Sequence, residues 1–115
     1  MNRITLEFLI GTNQYVCDLT GEPSTIISLN NLMSAIGIQD NNYYDNDEQV
    51  ACAILRSLVI GHGFEQGNKR TAFATIKYML EPDCSDEILQ NTILTLALPG
   101  GARLDVSTLE AILYN

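Results

Sequence analysis

Apolar residues recur along this 115-residue chain at three- and four-residue intervals, the spacing of helices rather than strands. Thr5 is placed to cap a first helix whose inner face carries Leu6, Ile10, Asn13 and Cys17. Gly11 weakens that helix by about 1 kcal/mol. Thr20-Gly21-Glu22-Pro23 reads as a loop, and Ser28 then caps a short helix with Leu29, Leu32, Met33 and Ile36 inward and Gly37 at its end. From Ile38 to Asp47 the chain is polar and rich in Asn and Asp, too long for a tight turn, which predicts a surface loop or a two-stranded flap. Val50, Ala53, Ile54, Ser57, Leu58 and Gly61 form the clearest stripe of all, one face of a buried helix. After a break from Gly61 to Gly67, a second strong helix begins near Asn68, with Ala72, Phe73, Ile76, Met79 and Leu80 inward, and Pro82 stops it. Ser85, followed by Asp86 and Glu87, opens a helix carrying Ile88, Leu89, Thr92, Ile93 and Leu96. Pro99-Gly100-Gly101 is a turn, and Ser107-Thr108-Leu109-Glu110 has the form of a capping box at the start of a last short helix. The pattern predicts a compact all-α bundle.

No repeat, low-complexity tract or linker interrupts the pattern, so residues 1–115 are expected to form a single domain. A hydrophobic fraction of 46% against 17% charged is that of a globular chain with a core of its own. No apolar run approaches ~18 residues, so no membrane-spanning helix is expected, and Met1–Thr5 lacks a signal peptide's apolar stretch. Cys17, Cys52 and Cys84 are dispersed with no CxxC pair, which predicts reduced thiols rather than a disulfide framework or a zinc site. A cytoplasmic protein fits these features. Fourteen acidic residues oppose six basic ones, and a net charge of −8 disfavours direct binding of nucleic acid or an anionic membrane. Yet Lys69, Arg70 and Lys77 gather half of the cations in one stretch, as either a local anion site or a solvent-facing helix surface.

The only histidine lies in that stretch: His62-Gly63-Phe64-Glu65-Gln66-Gly67-Asn68-Lys69-Arg70-Thr71-Ala72. Gly67 permits positive φ and a close approach of backbone to ligand. Asn68, Lys69 and Arg70 fall at a helix start, where unpaired N–H groups and the dipole attract an anion. Dipole logic disfavours cations there, so the Lys-Arg pair points to function. Phe64 is placed to plug the loop into the bundle. An imidazole ordinarily titrates at about 6.5, so His62, tethered beside an anion pocket, is placed to take a proton from a hydroxyl. A base above a phosphate cradle is the minimum for phosphoryl or nucleotidyl transfer.

These residues resemble the signature of the Fic/Doc superfamily, which runs His-Pro-Phe-x-(Asp/Glu)-Gly-Asn-(Gly/Lys)-Arg. His62, Phe64, Gly67, Asn68, Lys69 and Arg70 match it, and Lys69 followed by Arg70-Thr71-Ala72 is similar to the variant of the death-on-curing (Doc) branch. The resemblance implies an all-α Fic/Doc-type bundle with the motif loop at 62–72. It also implies a polar flap, here Gln39 to Asp45, that pairs with a target segment by β-augmentation. It gives His62 as general base, Gly67 and Asn68 as binders of nucleotide phosphates, Lys69 as a phosphate contact and Arg70 as stabiliser of developing charge. The activity it implies is that of a Doc-like toxin of a toxin–antitoxin system. Such a toxin transfers a phosphoryl group from ATP to a hydroxyl of a target protein, a translation factor in that branch, and is restrained by a separate antitoxin that folds into an apolar groove. No glutamate here precedes Gly or Asn, so the inhibitory segment that many Fic proteins carry is not expected.

Three departures from the pattern keep the readings apart. Gln66 stands at the acidic position that helps hold Mg²⁺, and a neutral amide is a poor sole ligand for that ion; Glu65 is expected to point elsewhere. Gly63 replaces the proline and should loosen the loop. Phe73 stands where AMP-transferring members have a second arginine. A Doc-like kinase, an AMP-transferring enzyme and a degenerate Fic/Doc-fold binding module all remain open at this point.

Overall fold

The computed structural model describes residues 1–115 and arranges them as six helices: α1 (Leu6–Asp18), α2 (Leu29–Gly37), α3 (Asp47–Gly61), α4 (Asn68–Met79), α5 (Asp86–Ala97) and α6 (Val106–Leu113). Short 3₁₀ turns follow α2 at Ile38–Asp40 and precede α6 at Gly101–Arg103. There is no sheet; one isolated antiparallel bridge joins Ile26 to Phe64. The chain is thus an all-α single domain, and no helix is long and apolar enough to cross a membrane.

Helix α3 is the axis of the bundle, packed by α2, α4, α5 and α6. The single stripe predicted for it underestimates its burial. Ala51, Cys52, Ala53, Ile54 and Leu55 are buried in succession, because neighbours cover more than one side, whereas Val50, Ser57 and Gly61 are only half-buried. The other helices bury one face each, often rotated by a residue from expectation. In α1 the buried set is Leu9, Asn13, Val16 and Cys17, with Leu6 and Ile10 at its margin. Leu32 and Ala35 point inward from α2, while Leu29 and Met33 are exposed. Likewise Ile88 of α5 faces solvent.

Five of the six helices begin at a side-chain cap. The oxygens of Thr5, Ser28, Asn46, Ser85 and Asp105 accept from the N–H three residues on, at 3.1, 3.3, 2.8, 3.2 and 2.9 Å. Asp105 thus replaces the Ser107 box expected for α6. Gly37 remains right-handed, because α2 runs on into its 3₁₀ turn instead of stopping there. Only α4 starts without a side-chain cap, on Gly67 at φ 76.

Of the two forms expected for the polar stretch, the chain takes the surface loop, and the two-stranded flap is corrected. Residues 39–45 form the 3₁₀ end and turns, with Gln39 bonded to Ile4 and Asp40 to Arg3. They precede α3 and the motif loop follows it, so the 15-residue helix separates the two by about 22 Å at 1.5 Å per residue. The segment that does flank the motif loop is Ser24–Ser28. The N–H groups of Ile27 and Ser28 donate to Gly63 O at 2.9 and 3.1 Å, and Glu65 N–H donates to Thr25 O at 2.8 Å. The turn between α1 and α2 thus crosses the end of α3.

Candidate functional site

The loop between α3 and α4 is held from both ends. Phe64 is 2% exposed and anchors it in the core. Asn68 then closes it: its Oδ1 accepts from Phe64 N–H at 3.0 Å and its Nδ2 donates to Phe64 O at 2.7 Å. The Asn68 side chain is therefore spent on the loop itself, and only its main chain is free for an anion. Gly63 is also tighter than expected. A Cβ there would lie 2.3 Å from Leu32 Cδ2, so Leu32 fills the room a proline ring would need. The loop gains packing where it was expected to gain only freedom.

His62 ends α3 at φ 48, ψ 56, and is the one non-glycine residue with positive φ. That conformation costs about 1 kcal/mol and turns the chain sharply out of the helix. His62 is exposed and shares a pocket of about 260 Å³ with Glu65, Gln66, Gly67, Asn68 and Lys69, backed by Val59 and Ala97. Glu65, expected to point elsewhere, lines this pocket beside Gln66.

The pocket's amide donors come from the uncapped start of α4. Thr71 N–H returns to Gly67 O at 2.8 Å, so the N–H groups of Asn68, Lys69 and Arg70 ahead of it have no helical carbonyl to bond. The side chains of the two cations diverge. Lys69 lines the His62 pocket. Arg70 turns toward α1, donating to Val16 O at 2.7 Å and Thr20 Oγ1 at 3.2 Å and pairing with Glu22. It thereby supplies the positive charge that the last turn of α1 lacks. Thr20 and then Arg70 hold the Glu22 carboxyl below its usual range. Lys77 belongs elsewhere: it pairs with Glu81 and with Asp86, the latter at 2.7 Å, and the Asp86 bond first, then Glu81, raises it to about 12. Of the three clustered cations, only Lys69 serves the His62 pocket.

A second pocket of about 380 Å³ lies between α1, α4 and α5, lined by Val16, Leu19, Phe73, Ile93 and Leu94 with Lys69 and Arg70 at its edge. The two pockets share Lys69. Beneath the loop, two polar side chains of α1 were legible only as inner-face positions. Asn13, fully buried, donates to Gln66 O at 2.8 Å. The Cys17 thiol, raised by burial, stays neutral, and its one hydrogen faces both this carbonyl and Asn13 Oδ1, each 3.7 Å from the sulfur.

The donor set does not fit a resident Mg²⁺. No group of three His, Cys, Asp or Glu side chains able to hold a metal ion forms in the chain, and Glu65 is the one carboxylate lining the His62 pocket, which also holds the cation Lys69. What the arrangement offers without a metal is a proton acceptor, one free cation and the uncapped start of α4 around one small cavity. In comparisons with protein-family models, with curated proteins and with solved structures, nothing matches the chain.

Proposed function

We propose that the chain is a Doc-like toxin that transfers the γ-phosphoryl group of ATP to a hydroxyl of a target protein. The observation that carries this reading is the convergence of His62, Lys69 and the uncapped amides of α4 on one pocket. At about 260 Å³ the pocket is below the range of ~300–1,000 Å³ usual for small-molecule sites, so it suits a phosphate chain and not a whole nucleotide. The neighbouring apolar pocket, joined to it at Lys69, suits the base, with Phe73 as an aromatic wall. His62 takes the proton of the target hydroxyl, the oxygen attacks the γ-phosphorus, and ADP leaves with the amides and Lys69 balancing its charge.

Phe73 in place of a second arginine favours phosphoryl over AMP transfer. The same apolar pocket offers an antitoxin helix a seat, and a helix laid there would exclude the base. The target, a translation factor in the Doc branch, would approach over the Ser24–Ser28 segment. A second reading, a degenerate Fic/Doc-fold binding module, is favoured by Gln66 and by the pairing of Arg70 with Glu22, which removes the second cation from the pocket.

Incubation with labelled ATP and a bacterial lysate tests the proposal. Protein labelled from the γ position supports the kinase, label from the α position supports AMP transfer, and none from either supports the module. For the toxin role, expression should slow bacterial growth, and normal growth with abundant folded protein would reject it.

A further inference from the structure

Asn13 is fully buried in α1, where the helical pattern calls for an apolar residue. Desolvating an amide is costly unless every bond is remade, and here each is. Nδ2 donates to Gln66 O at 2.8 Å and to Thr71 Oγ1 at 3.2 Å; Oδ1 accepts from Ser24 Oγ at 2.6 Å and from Cys17 Sγ at 3.7 Å. These partners lie in α1, in the Ser24–Ser28 segment, in the motif loop and in α4. One side chain thus ties both walls of the His62 pocket to the core.

The bond to Gln66 has a directional consequence. In a planar trans peptide the carbonyl and the N–H point opposite ways, and the chain has no cis peptide. Asn13 draws the Gln66 carbonyl into the core, which turns the Gly67 N–H of the same peptide outward. Gly67 in the left-handed region, followed by right-handed Asn68, then places four successive amides, 67 to 70, on one concave turn, the arrangement that binds anions. We propose that Asn13 is the positioning residue of this four-amide phosphate cradle. The inference rests on the reading of the loop as a phosphate site.

Inorganic pyrophosphate, titrated into ¹⁵N-labelled full-length protein and followed by NMR, separates the two. The resonances of Gly67, Asn68, Lys69 and Arg70 and of the Asn13 side-chain amide should shift together. Asn13→Leu, which removes the donor without adding charge, should weaken pyrophosphate binding at least tenfold. Thr71→Val breaks another Asn13 bond but leaves the Gln66 carbonyl held, so it should lower the melting temperature while keeping affinity within twofold. Equal affinity in Asn13→Leu and wild type overturns the inference alone. So does a wild-type titration in which residues 68–70 shift while Gly67 and Asn13 stay still, which decides the matter even if Asn13→Leu fails to fold. No binding by the wild type overturns the phosphate site and this inference with it.

Discussion

Replacing Gly67 by alanine perturbs the site where a left-handed backbone and close packing coincide. Gly67 holds φ 76, and a Cβ there would meet Cys17 Sγ at 3.0 Å, Asn13 Nδ2 at 3.1 Å and Val16 Cγ2 at 3.3 Å. The left-handed conformation alone costs an alanine about 1–2 kcal/mol, and crowding against a packed helix adds about 1 kcal/mol. For a chain of 115 residues, an unfolding entropy of roughly 2.1 cal/mol/K per residue makes 1 kcal/mol worth about 4 °C. The expected loss is therefore on the order of 10 °C in Tm. Gly100, at φ 86 with nothing within 4 Å of a Cβ, isolates the conformational part; Gly100→Ala should lose only about 4–8 °C. Thermal melts followed by circular dichroism at 222 nm measure both. Gly67→Ala should also weaken pyrophosphate binding, since the displaced Asn13 is the side chain that holds Gln66 O. Equal losses at the two glycines, or none at Gly67, would refute the packing argument.

Lys69→Ala should weaken ATP binding, measured by calorimetry, at least tenfold, whereas Arg70→Ala should chiefly lower stability because its guanidinium serves α1; the opposite ranking would move the anion site. Gln66→Asp should confer Mg²⁺-dependent acceleration of transfer by supplying the missing charge, and a rate flat in Mg²⁺ would show that the position holds no metal. Glu22 and Asp105 are held below their ordinary values near 4.5 and 3.8, the first by Thr20 and then Arg70, the second by the Thr108 N–H. A depressed carboxyl stabilises the fold above its unfolded pKa, and that contribution disappears as pH falls through the folded one. Melting temperature should thus drop as pH falls below about 4.5, less steeply in Glu22→Gln, and parallel pH profiles would contradict the Glu22 assignment.

Helix starts were legible because a cap is a local event: Thr5, Ser28 and Ser85 each need only the N–H three residues on. Burial was less legible, since periodicity marks one face and α3 is covered on several. Its neighbours are set by tertiary packing, which no local window contains. The motif loop could be placed between two helices, and Phe64 could be read as its plug, from spacing alone. That Ser24–Ser28, and not residues 39–45, flanks the loop could not be read, because proximity in the chain is a poor guide when a helix of 15 residues intervenes. Nor could the fate of Arg70, whose partners Glu22, Thr20 and Val16 lie about fifty residues away along the chain. Asn13 offered the one overlooked clue, an amide on an otherwise apolar helix face.

The transfer rate of His62→Ala tests the account most directly. His62 is exposed and packs no core, so the variant should melt like the wild type. It should bind ATP as tightly, because the amides and Lys69 are untouched. With γ-labelled ATP its transfer rate should fall by about 10²–10⁴-fold, the usual loss of a general base. An unchanged rate, or a loss explained by weaker ATP binding, would contradict the assignment of His62 as the proton acceptor of this site.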